Sequence, residues 1–313
     1  MINRVLLRIK IIQILYSYYK SGDKTALMVE KELFYSIEKT YDLYYHLLNL
    51  AITITDFAAQ KIEARKSKLR PTPEDLNPNT RFVDNLFLQQ LRKNVHLKSY
   101  LAERKLSWVN HPEVIKELYE EIMASDFIIE YMEAESVDYE TGKDIWRKIF
   151  KKIILTNEVL DDSLEEQSIY WTDDVEIVIS FVLKTIKRFD ASEGVGQALL
   201  PMFKDEEDAD FARKLLKGVL KNGSAYREII DQNTRNWELE RIAFMDTLIM
   251  EVALSELMDF PSIPVNVTLN EYIEIAKTYS TDKSGTFING VLDTIVGQLK
   301  EQNKLIKVVM FTK

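Results

Sequence analysis

Residues 237–293 read WELERIAFMDTLIMEVALSELMDFPSIPVNVTLNEYIEIAKTYSTDKSGTFINGVLD, and this stretch decides the fold class. Apolar Ile242, Met245, Ile249, Val252 and Leu257 recur close to the helical period, which predicts a helix over 237–258. Asp259, Pro261 and Pro264 end it, because proline lacks a backbone donor and restricts the residue before it. A second helix is expected after Thr268, where Thr268 and Glu271 have the spacing of a capping box. A third starts near Ser284 and carries Phe287, Val291, Leu292 and Ile295 on its buried side. Gly290 lies inside it; an interior glycine costs about 1 kcal/mol relative to alanine. That predicts close approach of another helix at Gly290.

Composition agrees with an all-α protein. The 313 residues include only 9 glycines and 7 prolines, and long segments keep helical periodicity. The absence of cysteine excludes disulfides, thiolate chemistry and cysteine metal sites, and it fits a reducing cytoplasm. His46, His96 and His111 are scattered without metal-ligand spacing, so no metal or other cofactor is expected. No segment is long and apolar enough for a membrane span, and the N-terminus does not read as a signal peptide. A net charge of −9 argues against nucleic-acid binding through bulk charge, so any RNA site must be a local patch.

The first 20 residues, MINRVLLRIKIIQILYSYYK, are basic, with Arg4, Arg8, Lys10 and Lys20 as their only charges; from the residues alone they read as a core helix with its basic end in water, or as a local basic patch. Val5, Ile9, Ile12, Tyr16 and Tyr19 follow helical spacing and predict one buried face. Residues 24–69 read as one or two long helices with a stripe through Leu33, Phe34, Ile37, Tyr41, Tyr44, Leu48, Ala51 and Ile52. Tyrosines at that spacing favour core over base stacking. Lys61, Arg65, Lys66, Lys68 and Arg70 close this segment; they suit a phosphate contact, and they equally suit a helix C-terminal dipole.

A proline-rich loop occupies 71–81. Further helices are expected over 82–106, 112–135, 143–155, 158–168 and 173–189. The acidic pairs Asp161-Asp162 and Glu165-Glu166 read as solvated faces. A helix from about 205 should end near Asn222-Gly223, with Ser224 capping another. The tail NKLIKVVMFTK is basic and apolar. No phosphate loop, metal spacing or nucleophile motif appears.

The runs Ile263-Pro264-Val265, Leu269-Asn270-Glu271, Glu274-Ile275-Ala276-Lys277 and Phe287-Ile288-Asn289-Gly290-Val291-Leu292-Asp293 occur in this order. Together they resemble the C-terminal half of the NusB transcription antitermination family. The resemblance spans about 205–300 and the first 20 residues, where Arg4, Arg8, Gln13, Leu15 and Tyr16 fit the family's first helix. It implies a NusB-like helical bundle: 1–20 as a basic helix of the core, 21–200 as a helical elaboration, 205–300 as the C-terminal core and 301–313 as a tail.

By the same resemblance the protein is expected to bind boxA-type RNA with the NusE ribosomal protein and to assist the RNA polymerase elongation complex, without enzymatic turnover. The implied RNA-binding residues are Arg4, Arg8, Gln13, Lys283, Ser284 and Phe287. The implied partner-binding residues are Glu240 and Asp246. Modules of this kind also occur fused to RNA cytosine methyltransferases, which need a cysteine nucleophile and a methyl-donor loop; neither is present in this sequence. The alternative reading is a helical protein–protein scaffold that keeps the fold without RNA recognition.

Overall fold

The computed structural model describes residues 1–234, 243–281 and 283–308. They are helical throughout; the described residues contain no strand, only an isolated bridge between Ile2 and Phe203. In chain order the helices are α1 (Arg4–Ser21), α2 (Ala26–Lys66), α3 (Pro73–Leu76), α4 (Leu86–Lys93), α5 (Val95–Arg104), α6 (Pro112–Ala124), α7 (Asp126–Glu133), α8 (Tyr139–Lys152), α9 (Glu158–Gln167), α10 (Val175–Arg188), α11 (Glu206–Thr234), α12 (Phe244–Asp259), α13 (Val265–Tyr279) and α14 (Ser284–Glu301). They form two compact units. A middle unit comprises Met1 and residues 38–202; a terminal unit comprises residues 2–37 and the chain from Phe203 on. The division falls inside α2, after Ile37.

In the middle unit, α2 buries Tyr41, Tyr44, Leu48 and Ala51. The tyrosines are core, as their spacing predicts, and their hydroxyls are satisfied: Tyr41 donates to the Leu200 carbonyl at 2.8 Å and Tyr44 meets Thr185 Oγ1 at 2.6 Å. Asn94 divides the helix expected over 82–106, Ser125 divides the one expected over 112–135, and Asn157 starts a third. Asn94 ends α4 and caps α5, accepting from Leu97 N at 2.9 Å while donating to the Gln197 carbonyl at 2.8 Å. Asn157 caps α9 in the same way. The 71–81 loop holds a single turn, α3, closed by a Thr72/Asp75 capping box that the proline count obscured.

In the terminal unit, α12 is buried along nearly its whole length from Leu248 to Leu257, packed by α1, α11, α13 and α14. Three expectations fail here for packing reasons. α11 runs unbroken through Asn222, Gly223 and Ser224. Gly223 is kept bare because a Cβ would meet the Tyr19 hydroxyl at 2.9 Å. α13 begins at Val265 behind Pro264, so Thr268 is a buried helix-interior residue, not a cap; its hydroxyl donates to Glu256 Oε1 at 2.9 Å. Gly290 faces open space, and the close approach occurs instead at Gly218 of α11, where a Cβ would collide with Ser255 and Asp259 of α12. Gly218→Val should therefore lower thermal stability markedly, whereas Gly290→Ala should raise it slightly by removing unfolded-chain entropy. Parallel melting curves of the two variants check this; equal effects would contradict the packing.

After α14 the chain turns back. Lys307 Nζ donates to the Phe260 carbonyl at 3.0 Å and Val308 N to the Pro261 carbonyl at 2.9 Å, which fastens the tail to the α12–α13 connection.

Candidate nucleic-acid and partner-binding site

The described residues of the site expected from the sequence lie in the terminal unit, on α1, α12 and the start of α14. α1 does not bury the face that its periodicity suggested. Leu6, Leu7, Ile11, Ile12, Ile14 and Leu15 are buried, whereas Val5 and Ile9 are half-buried and Tyr16 is 39% exposed. The helix is apolar almost all round, so several spacings fit equally well and the packing of α11 and α12 against it selects the buried side.

Arg8 is the largest correction. Expected to reach RNA beside Arg4, it is only 3% exposed. Its guanidinium grips Glu256 bidentately, Nε to Oε2 at 2.7 Å and Nη2 to Oε1 at 2.9 Å, and Nη1 reaches Glu271 Oε2 at 3.4 Å. Glu256 is fully buried and also accepts from Thr268 and from the Tyr272 hydroxyl at 3.1 Å. Burial alone would weaken the arginine's hold on its proton; the Glu256 hydrogen bond together with charge interactions with Tyr272, Glu256 and Glu271 outweighs it and raises its pKa. Burial, with Glu256 adding to it, pushes Tyr272 well above the usual phenol value. Arg8 is thus a structural cation whose charge neutralises Glu256. Arg4, one turn earlier, remains partly accessible. It lies over the Phe211 ring and contacts Asp208 Oδ1 at 3.3 Å.

Glu251 is also engaged. Arg227 donates to its Oε1 and the Tyr19 hydroxyl to its Oε2 at 3.0 Å. Burial, reinforced by Glu251, pushes Tyr19 up to about 12. The partners of Glu251 and Glu256 come from α1, α11 and α13.

Asp246, expected at a protein interface, is 4% exposed. It accepts from Ser280 Oγ at 2.6 Å. Ser284 is buried as well: its Oγ contacts Ser280 Oγ at 3.1 Å and accepts from Thr281 N at 3.1 Å. Neither side chain is presented outward, and together they pin the α13–α14 turn to the first turn of α12. Glu240 lies outside the described residues. Asp246→Ala should loosen this turn and lower stability by about 1–3 kcal/mol, while Asp246→Asn, which keeps an acceptor for Ser280, should fall between the alanine variant and wild type. Urea titrations of the pair decide it; identical losses would show that the tether contributes nothing.

What does face outward is an aromatic cluster that periodicity had hidden. Tyr16 and Tyr19 of α1 pack edge-on against Phe244 of α12, with centroids 5.6 and 6.2 Å apart. Phe244 is 38% exposed, and Lys20 Nζ stands 4.7 Å over its ring. Two residues beyond Phe244, Asp246 holds the turn that begins α14. There Lys283 is exposed, Phe287 is half-buried, and no acid occupies the first turn. Gln13 is half-buried on α1. The first turn of α12 therefore joins the aromatic end of α1 to the start of α14. An exposed phenol, a cation over a ring and an acid-free helix start suit stacking bases and phosphate. Phe244 could have been suspected from its place just before the α12 apolar run, but only the fold brings it to Tyr16.

Among the described residues no group of three or more metal-ligating side chains converges, and no helix is long and apolar enough to cross a membrane.

The family model described as "NusB family" matches residues 180–297. The match therefore begins earlier than the sequence motifs indicated, within α10. The transcription antitermination protein NusB of Salinibacter ruber is 39% identical over 132 residues, covering 40% of this chain and 82% of that protein. Those of Bacillus pumilus and Bacillus cereus strain B4264 are 37% and 47% identical, covering 37% and 29% of this chain and 86% and 69% of theirs. A solved structure of T. maritima NusB aligns at 26% identity over 51% of this chain and 97% of that one, with a TM-score of 0.29. With four-fifths of a relative covered at 39% identity, this chain belongs to the NusB family of transcription antitermination proteins, with a long additional helical region.

Proposed function

We propose that this protein is an RNA-binding antitermination factor that recognises boxA-type RNA together with the NusE ribosomal protein and acts on the RNA polymerase elongation complex. It works by binding, with no turnover. The observation that carries the reading is the exposed Tyr16–Phe244–Lys20 cluster, joined through the first turn of α12 to the exposed Lys283 at the start of α14. Unpaired bases stack on exposed rings, and cations beside them meet phosphate. Arg4, Gln13 and Phe287 complete the proposed RNA face. Glu240 remains the proposed contact to NusE, whose basic character as a ribosomal protein suits an acid.

The test is a titration of boxA-type RNA against the full chain, alone and with NusE, at two stated salt concentrations. Tyr16→Ala should weaken RNA binding by about 1–3 kcal/mol, the range for loss of one base–aromatic stack, without changing the melting temperature. Unchanged affinity would remove the cluster from the RNA face. The scaffold alternative draws on one observation, that Arg8 is inside and Arg4 already faces Asp208. It predicts NusE binding with no RNA preference, which the same titration reads.

A further inference from the structure

The last three turns of α2, in the middle unit, carry a stripe at four-residue spacing: Phe57, Lys61 and Arg65. Ile54 and Ala58, beside this stripe on the same side of the helix, are buried. Lys61 Nζ lies 5.3 Å over the Phe57 ring, and Phe57 packs edge-on against Tyr119 of α6 at 5.3 Å. Both rings are half-buried, and Lys61 and Arg65 are exposed. Beyond the helix end come Lys68, Leu69 and Arg70, all exposed, with Leu69 wholly so. Residues 61–70 thus hold Lys61, Arg65, Lys66, Lys68 and Arg70 against one acid, Glu63, in a chain of net charge −9.

Some of these cations are already engaged: Lys66 with Glu63 at 2.9 Å, and Lys68 with both oxygens of Asp75 at 3.0 and 2.9 Å. Lys61, Arg65 and Arg70 form no ion pair among the described residues. A helix dipole is complemented within the last turn. It accounts for Arg65 and Lys66, but not for Lys61, more than a turn back, nor for Arg70 past the end. Exposed cations beside a pair of half-buried rings suit a single-stranded polyanion with stackable bases. A lipid surface would need an apolar face, and Leu69 alone does not make one.

We infer that this tip is a second, sequence-independent contact for single-stranded RNA: Lys61, Arg65 and Arg70 take phosphates, and Phe57 and Tyr119 offer a stacking edge. The inference rests on the RNA-binding reading for its ligand class, but on different residues. It is tested on the full chain with two RNAs, a bare boxA-type element and the same element extended by twenty uridines, with an isolated oligouridylate as a third probe. The variants are Lys61→Glu/Arg65→Glu/Arg70→Glu, whose residues are all exposed, and Tyr119→Leu, which removes the stacking edge and keeps the cations.

The extension should tighten wild-type binding about tenfold. The triple variant should lose that gain and flatten the salt slope on the extended RNA by about 2, since each single-strand contact contributes about 0.7, while its affinity for the bare element stays at wild type. Tyr119→Leu should lose part of the gain with the slope unchanged. A triple variant that keeps the gain overturns the tip and leaves the boxA reading standing. Wild type that ignores boxA while the variant still loses oligouridylate overturns the boxA reading and supports the tip. Wild type that binds none of the three RNAs overturns both. Loss of binding to phosphatidylserine vesicles, with the RNA gain intact, would make the tip a lipid contact and overturn the inference.

Discussion

Arg8→Met is expected to lower the stability of the terminal unit by about 3–5 kcal/mol, the range for a buried ion pair stripped of one partner. The reason is what stays behind. Glu256 is wholly buried, and its two oxygens accept four hydrogen bonds, two of them from Arg8. Thr268 and Tyr272 remain in the variant but bring no positive charge, so a carboxylate would be left uncompensated inside the protein. Methionine fills much of the vacated volume, which separates the electrostatic loss from cavity formation. Arg4→Ala is the control: its pair with Asp208 is partly solvated and should contribute below about 1 kcal/mol.

Urea denaturation followed by circular dichroism measures both variants, with the two units allowed separate transitions. A double variant, Arg8→Met with Glu256→Gln, should recover part of the loss, because the buried charge is gone. Wild-type stability in Arg8→Met would show that the pair is not holding α1 to α12. Under the proposed function, any fall in RNA affinity in an Arg8 variant is read beside its stability, and Arg4, which is partly accessible, is the arginine that tests the RNA face.

The middle unit should be acid-labile through one histidine. His46 of α2 is 1% exposed and stacks on Trp108, with centroids 4.0 Å apart and planes 11° apart. Gln167 Nε2 donates to Ser163 O and Oγ at 3.1 and 3.2 Å, so its Oε1 is the acceptor facing His46 Nε2 at 3.0 Å. The network thereby assigns the proton of the neutral ring to Nε2. Nδ1 is buried with no hydrogen-bond partner, and a proton added there would find no acceptor. Burial lowers the pKa from 6.5 to about 4; His111 pushes the same way, while Gln167 and Asp42 oppose it.

The sign follows from linkage. The folded ring stays neutral where the unfolded one gains a proton, so this contribution to stability is intact above pH 6.5. It falls as the pH drops from 6.5 toward 4, by about 3 kcal/mol in all at 1.36 kcal/mol per pKa unit. The urea midpoint of the middle-unit transition should therefore decline between pH 7 and pH 4.5 more steeply in wild type than in His46→Gln, which does not titrate. Parallel declines in the two proteins would assign the acid lability to other groups.

The sequence alone determined that the chain is helical, because 3.6-residue periodicity and proline punctuation are local properties that survive any packing. It placed the start of α14 at Ser284 and Tyr41 and Tyr44 of α2 in a core, and the ordered motifs from Ile263 to Asp293 determined the family. It could not decide which side of α1 is buried. That helix is apolar nearly all round, and the choice belongs to α11 and α12. Nor could it tell a surface arginine from a buried one. Arg4 and Arg8 differ only in what lies opposite them, an exposed helix start for one and the buried Glu256 for the other, 248 positions along the chain. The same holds for Asp246 and Ser284, which a sequence lists as polar and the fold turns inward toward Ser280. Partners of buried charges, and the rings that stay outside, are set by contacts between distant helices, and only the tertiary structure brings those residues together.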